Sequence, residues 1–130
     1  MRIAKGQLEQ LLRDKDFRSQ FTADFVRELL SAQIRALRDK RGWSQEELGA
    51  NAGKMEQAQV SRLEDPEYSG GTLNSVIRIA QGFDVGLLVQ LVPFSRVVEA
   101  ANGLNPNTLI PPSYQQEMPA WIHYPSKAGD

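Results

Sequence analysis

Five polar or small side chains stand close together in "SQEELGANAGKMEQAQVSRLE", residues 44–64: Gln57, Ala58, Gln59, Ser61 and Arg62. They fall on one short run of helical spacing whose apolar positions are Val60 and Leu63. Amides, a hydroxyl and a guanidinium offer directional donors and acceptors, which suit recognition of a polar partner better than packing. The rest of the chain offers little reactive chemistry. It has no cysteine, so disulfides and thiolate metal or redox sites are excluded, and its one histidine, His123, has no local carboxylate cluster. There is no phosphate-binding glycine loop, no nucleophile with a partnered base and no paired acids on a plausible scaffold. The expectation is therefore a binding protein rather than an enzyme, with no metal and no cofactor.

The elements around that run are set by its flanks. Ser44, with Glu47 three residues on, has the spacing of a capping box and begins a helix with Leu48 and Ala52 on its buried face. Gly53 ends that helix, the linker 54–56 brings Met55 into the turn, and the next helix runs from about Gln57 to Glu64 before Asp65-Pro66 stops it. Upstream, Phe25, Leu29, Leu30, Ile34 and Leu37 recur at helical spacing from about Thr22, and Gly42 closes the helix after a basic turn. Residues 7–22 read as a short helix with a break near Asp14 to Asp16. Downstream, Thr72 caps a helix whose apolar positions are Leu73, Val76, Ile77, Ala80 and Phe83, which makes five helices by Asp84.

Beyond Asp84 the period changes. "VGLLVQLVPF", residues 85–94, is short, rich in valine and leucine and closed by a proline, which reads as a strand. No second strand is evident in the chain to pair with it. An unpaired strand edge invites another chain, and pairing with its own copy through Leu87, Val89 and Leu91 would give a homodimer. The other readings of this segment are a continued buried helix or an extended chain packed on the core. Residues 94–102 read as a short helix ending at Gly103. The remainder carries five of the seven prolines and reads as coil, with Leu109, Ile110, Tyr114, Trp121 and Tyr124 as anchors.

Taken in order, "QIRALRDKRGWSQEELGANAG" followed by "QVSRLE" resembles the helix-turn-helix family of phage Cro and repressor proteins, the XRE family. The resemblance covers about residues 23–84. Its most specific part is Ile34, Leu37, Arg38, Gly42, Ser44-Gln45, Leu48, Gly53 and Val60-Ser61-Arg62-Leu63-Glu64. It implies an all-α, five-helix repressor-like fold whose helix-turn-helix DNA-binding domain is 23–84. Around that domain lie a helical extension at 1–22, a strand and short helix at 85–102 and an irregular tail at 103–130.

The function it implies is sequence-specific binding of double-stranded DNA, with helix 57–64 in the major groove and the protein acting as a dimeric repressor. Ser44, Gln45 and Lys54 would then face phosphates, while Glu56, Gln57, Ala58, Gln59, Ser61 and Arg62 lie on or near the reading face. Arg38 and Glu64 match a pair that ties the first core helix to the end of the recognition helix. There are two departures. The turn between Gly53 and Val60 is one residue longer than the commonest form, and Gly49 replaces the usual alanine, at up to about 1 kcal/mol of helix propensity.

The balance of the chain bears on partners. Net charge is −1, with 41% hydrophobic and 24% charged residues, so no overall basic surface advertises non-specific nucleic-acid binding. Locally, residues 35–41 carry Arg35, Arg38, Lys40 and Arg41 against Asp39. The polar N-terminus does not read as a secretory signal and no apolar run spans a membrane, so the expected location is cytoplasmic. The alternative role is an antitoxin or adaptor, in which the strand and C-terminal region hold a partner protein.

Overall fold

A computed structural model describes residues 5–121, with side chains for 6–118. Among the described residues the fold is all-α, with eight helices: α1 (Lys5–Leu11), α2 (Lys15–Arg41), α3 (Gln45–Asn51), α4 (Gln57–Leu63), α5 (Leu73–Phe83), α6 (Phe94–Asn102), α7 (Pro106–Leu109) and α8 (Tyr114–Trp121). His123 and Tyr124 lie outside the described residues, as does the side chain of Trp121.

The long helix α2 starts earlier than its sequence pattern suggests. Asp14 caps it by accepting from the Phe17 amide at 3.1 Å, and Arg18 braces the elbow to α1 through the Leu12 and Arg13 carbonyls. Thr22, near which a new helix was expected, lies inside α2 and donates its hydroxyl back to the Arg18 carbonyl at 3.0 Å. Phe17, Phe21 and Phe25 stack at four-residue spacing across that point, with centroids 5.9 and 5.8 Å apart, so the helix face is continuous. At the other end Gly42 takes the left-handed conformation (φ 68°), and the Gly42 and Trp43 amides bond back to Asp39 and Arg38.

The main core sits where α2, α3, α4 and α5 meet. Ile34, Leu37, Leu48, Ala52, Met55, Val60, Leu63, Ile79 and Phe83 are buried there. Trp43 closes one side by stacking on Phe83 at 5.7 Å, with the Arg41 guanidinium 5.2 Å from both rings. Helices α3 and α5 approach closely at Gly82, where a Cβ would come within 3.1 Å of the Ala52 and Asn51 backbone. A second, smaller cluster around Leu8 and Phe21 lies at the N-terminal half of α2, against which α1, α6 and α7 pack.

Three sequence expectations change here. The segment 85–93 forms neither strand nor helix, and no strand exists among the described residues. A ladder requires a partner, and among the described residues none forms a backbone hydrogen bond with residues 86–92. On α5 the buried positions are Ser75, Ile79, Ala80 and Phe83, whereas Leu73 and Ile77 are exposed. The apolar stripe is therefore wider than the core it serves. The tail after Gly103 is not simply coil. Asn105 accepts from the Asn107 and Thr108 amides to start α7, with Pro106 at the first helical position, where its missing N–H costs nothing. Ser113 and Gln116 exchange backbone and side-chain bonds to start α8. The Tyr114 amide ties this helix to the Asp84 carbonyl at 2.9 Å, and Ile110 packs on the main core.

Candidate nucleic-acid interface

Helix α3 begins with a complete capping box. Ser44 Oγ accepts from the Glu47 amide, and the Ser44 amide donates to Glu47 Oε1, each at 3.1 Å. The Ser44 hydroxyl is thus committed to the helix start, while Gln45 stands half-exposed at its first position.

The turn to α4 explains both departures from the common pattern at once. Gly53 and Lys54 take successive left-handed conformations (φ 73° and 62°), which folds the extra residue into the loop and turns Met55 inward. The Met55 amide then donates to the Gly49 carbonyl at 2.8 Å. The Met55 carbonyl oxygen in turn occupies the place where a Cβ on residue 49 would stand. The longer turn therefore requires glycine at 49, and the absence of alanine there is a packing consequence rather than a defect.

Helix α4 presents a divided surface. Val60 and Leu63 are buried and Glu64 follows them inward, while Gln57, Ala58, Ser61 and Arg62 form an exposed outer row. Glu56, the residue before the helix, is exposed and makes no side-chain cap. Gln59 is set apart from that row. It is half-buried and donates to Ser75 Oγ at 3.3 Å, beside the Thr72 cap of α5. Lys54 is exposed at the turn, and among the described residues neither Lys54 nor Arg62 has an ion-pair partner.

Behind α4 lies a polar chain that reaches its first residue. Arg38 donates through Nε to Glu64 Oε2 at 2.6 Å and through Nη2 to Oε1 at 3.0 Å, a bidentate pair with both side chains largely buried. These bonds raise the Arg38 pKa, chiefly through the Glu64 hydrogen bond, against the opposing effect of burial. Arg35 adds a bond to the Glu64 carbonyl at 2.8 Å. Gln45 Nε2 reaches Glu64 Oε1 at 3.4 Å, and its own Oε1 accepts from Gln57 Nε2 at 2.5 Å. The arrangement holds the Gln57 amide in one orientation, with an acceptor and a second donor hydrogen still available outward.

This geometry also reassigns the basic run. Arg35 and Arg38 are engaged with Glu64, and Arg41 lies over Trp43 and Phe83, which leaves Lys40 as the exposed cation of the run without a side-chain bond among the described residues. The positioning roles of Arg35 and of Arg78 are not evident from sequence spacing. Arg78 donates to the Ala52 and Gly53 carbonyls at 3.2 and 2.9 Å and so pins the end of α3. Nothing marks it in the sequence, because it stands on the polar flank of α5.

Leu87, Val89 and Leu91 lie apart from the exposed row of α4, on the segment 85–93. A groove of about 450 Å³ runs between them, lined by Arg62 and Leu63 at one end, by Val26 and Leu30 of α2, and by Leu87 and Val89. No group of histidine, cysteine, aspartate or glutamate among the described residues is arranged to hold a metal ion, and no described helix is long and apolar enough to cross a membrane. Comparison with family models, curated proteins and solved structures finds no match to this chain.

Proposed function

We propose that the protein is a sequence-specific double-stranded DNA-binding regulator that inserts α4 into the major groove. The observation that carries this reading is the outer row of α4: Gln57, Ala58, Ser61 and Arg62 are exposed together on a helix whose other face is locked into the core. Gln57 suits adenine, whose N6 and N7 match an amide's acceptor and donor, Arg62 suits the O6 and N7 of guanine, and the Ala58 methyl suits a thymine methyl. Lys54 and Gln45 flank the row where phosphates would pass, and Glu56 is placed to accept from a cytosine amino group or to face solvent. Gln59, tied to Ser75, is better suited to holding α4 against α5 than to reading.

With a net charge of −1, non-specific affinity is expected to be low and site choice to rest on base contacts. The test is selection from random duplex DNA at physiological salt, with wild type and Arg62→Ala in parallel. An enriched motif that relaxes at one position in Arg62→Ala supports the reading, and no enrichment sinks it. The other reading, an antitoxin or adaptor whose C-terminal region holds a partner protein, draws on the uncovered apolar surface of residues 87–94. A second small protein that co-purifies in fixed ratio, from a chain that selects no DNA, would favour it.

A further inference from the structure

Residues 86–92 leave the core without a backbone partner among the described residues. None of their backbone amides or carbonyls forms a hydrogen bond with another described residue. Their side chains are equally uncovered: Leu88 is 82% exposed, Val89 65%, and Leu91 fully so. Apolar, strand-favouring side chains on a backbone whose donors and acceptors are uncommitted are a template for strand pairing.

The surroundings extend the same surface. Leu87 and Val89 line the 450 Å³ groove against α2 on one flank and a second groove of about 350 Å³ on the other, where Leu73 and Ile77 of α5 stand exposed. The surplus apolar face of α5 and the segment 86–92 are thus one continuous patch. An exposed patch of this kind marks an interaction surface.

We infer that this patch is covered by a second copy of the chain, through antiparallel pairing of residues 86–92 with the same residues of the partner about a two-fold axis at Val89. Three observations favour a copy over a foreign chain. The segment 85–95 carries no charge, so two copies meet without repulsion and no complementary charge is asked of a partner. The register centred on Val89 is the one that pairs all seven free residues, from Gly86 to Val92, before Pro93 removes the next donor. It also sets like against like on one face, with Leu87 opposite the partner's Leu91 and Val89 opposite the partner's Val89, beside the exposed Leu73 and Ile77. Where the DNA reading of α4 holds, and the clause rests on that reading, the pair supplies two recognition helices to one inverted repeat.

The absence of native cysteine makes the register directly testable. Val89→Cys, Leu87→Cys and Leu91→Cys would be oxidised in the full-length protein, beside an exposed control, Gln20→Cys. Val89→Cys is expected to cross-link to a dimer by itself. Leu87→Cys and Leu91→Cys should cross-link to each other when mixed, far more than either does alone. By sedimentation, wild type should be dimeric and Val89→Asp, with unchanged circular dichroism, should dissociate on the order of 100-fold more readily, since two facing carboxylates would be desolvated together. A monomeric wild type, a dimer indifferent to Val89→Asp, or Val89→Cys cross-linking no better than Gln20→Cys would overturn the proposal. These readouts use no DNA, so a failed selection experiment with an intact Val89 cross-link rejects the DNA reading alone.

Discussion

Replacing Gly49 with alanine should destabilise this protein, although helix propensity by itself says the reverse. In an isolated helix the change is worth up to about 1 kcal/mol in favour of alanine. Here the new methyl would collide with the Met55 carbonyl oxygen, with the Met55 carbonyl carbon only 3.2 Å away and Val60 Cγ2 at 3.6 Å. The first two are backbone atoms, so a rotamer change gives no relief. Either the turn shifts outward and loses the Met55 amide bond to Gly49, about 1 kcal/mol, or the core absorbs the overpacking at about 1–3 kcal/mol. Set against the propensity gain, a net loss of up to roughly 2 kcal/mol remains, a fall in melting temperature of up to about 10 °C for a domain of this size. Urea and thermal melts followed by far-ultraviolet circular dichroism read it directly. Deleting Lys54 should shorten the turn and make alanine tolerable, so the double variant should be less destabilised than the two single changes added together. A Gly49→Ala protein as stable as wild type, or more so, would refute the link between the long turn and the glycine.

Other perturbations separate positioning from reading. Glu64→Gln should cost about 2–4 kcal/mol in urea unfolding, because it leaves Arg38 without its bidentate partner, and replacing Arg38 with methionine as well should restore part of the loss. The Arg38 pKa is raised by Glu64, so stability from that shift is fully present below the unfolded value and is lost only as pH rises through the folded one. No Arg38-linked change in stability is therefore expected between pH 6 and 9, a window chosen to lie about three units or more below an ordinary arginine. Arg62→Ala should leave unfolding within about 0.5 kcal/mol of wild type yet weaken a selected site by about 1–3 kcal/mol in a titration, since Arg62 is exposed and has no ion-pair partner among the described residues. Lys54→Gly should raise the melting point by relieving a left-handed non-glycine residue, up to about 1 kcal/mol, and weaken DNA binding with a shallower salt dependence.

Local chemistry determined much of this protein from sequence alone. Ser44 and Glu47 specify a helix start wherever they are placed, because both bonds of the box lie within four residues. Gly42 and Gly53 mark helix ends for the same reason, and residues 94–102 form the helix their pattern predicts. The buried Leu48, Ala52, Val60 and Leu63 follow from helical spacing, and the all-α class follows from the sum of such segments. Arg38 and Glu64, paired on the family resemblance, meet at 2.6 Å across twenty-six residues.

Other features depend on neighbours that no local window contains. Thr22 reads as a boundary until Phe17, Phe21 and Phe25 make one ladder through it. Gly49 reads as a weak helix residue until the Met55 carbonyl is found in the space of its missing methyl. Asn105 and Ser113 start helices among prolines that, read singly, suggest coil. The segment 86–92 shows the same division most sharply. Its residue types favour a strand, but a strand is a relation between two chains of hydrogen-bonding groups, and the tertiary structure supplies only one of them.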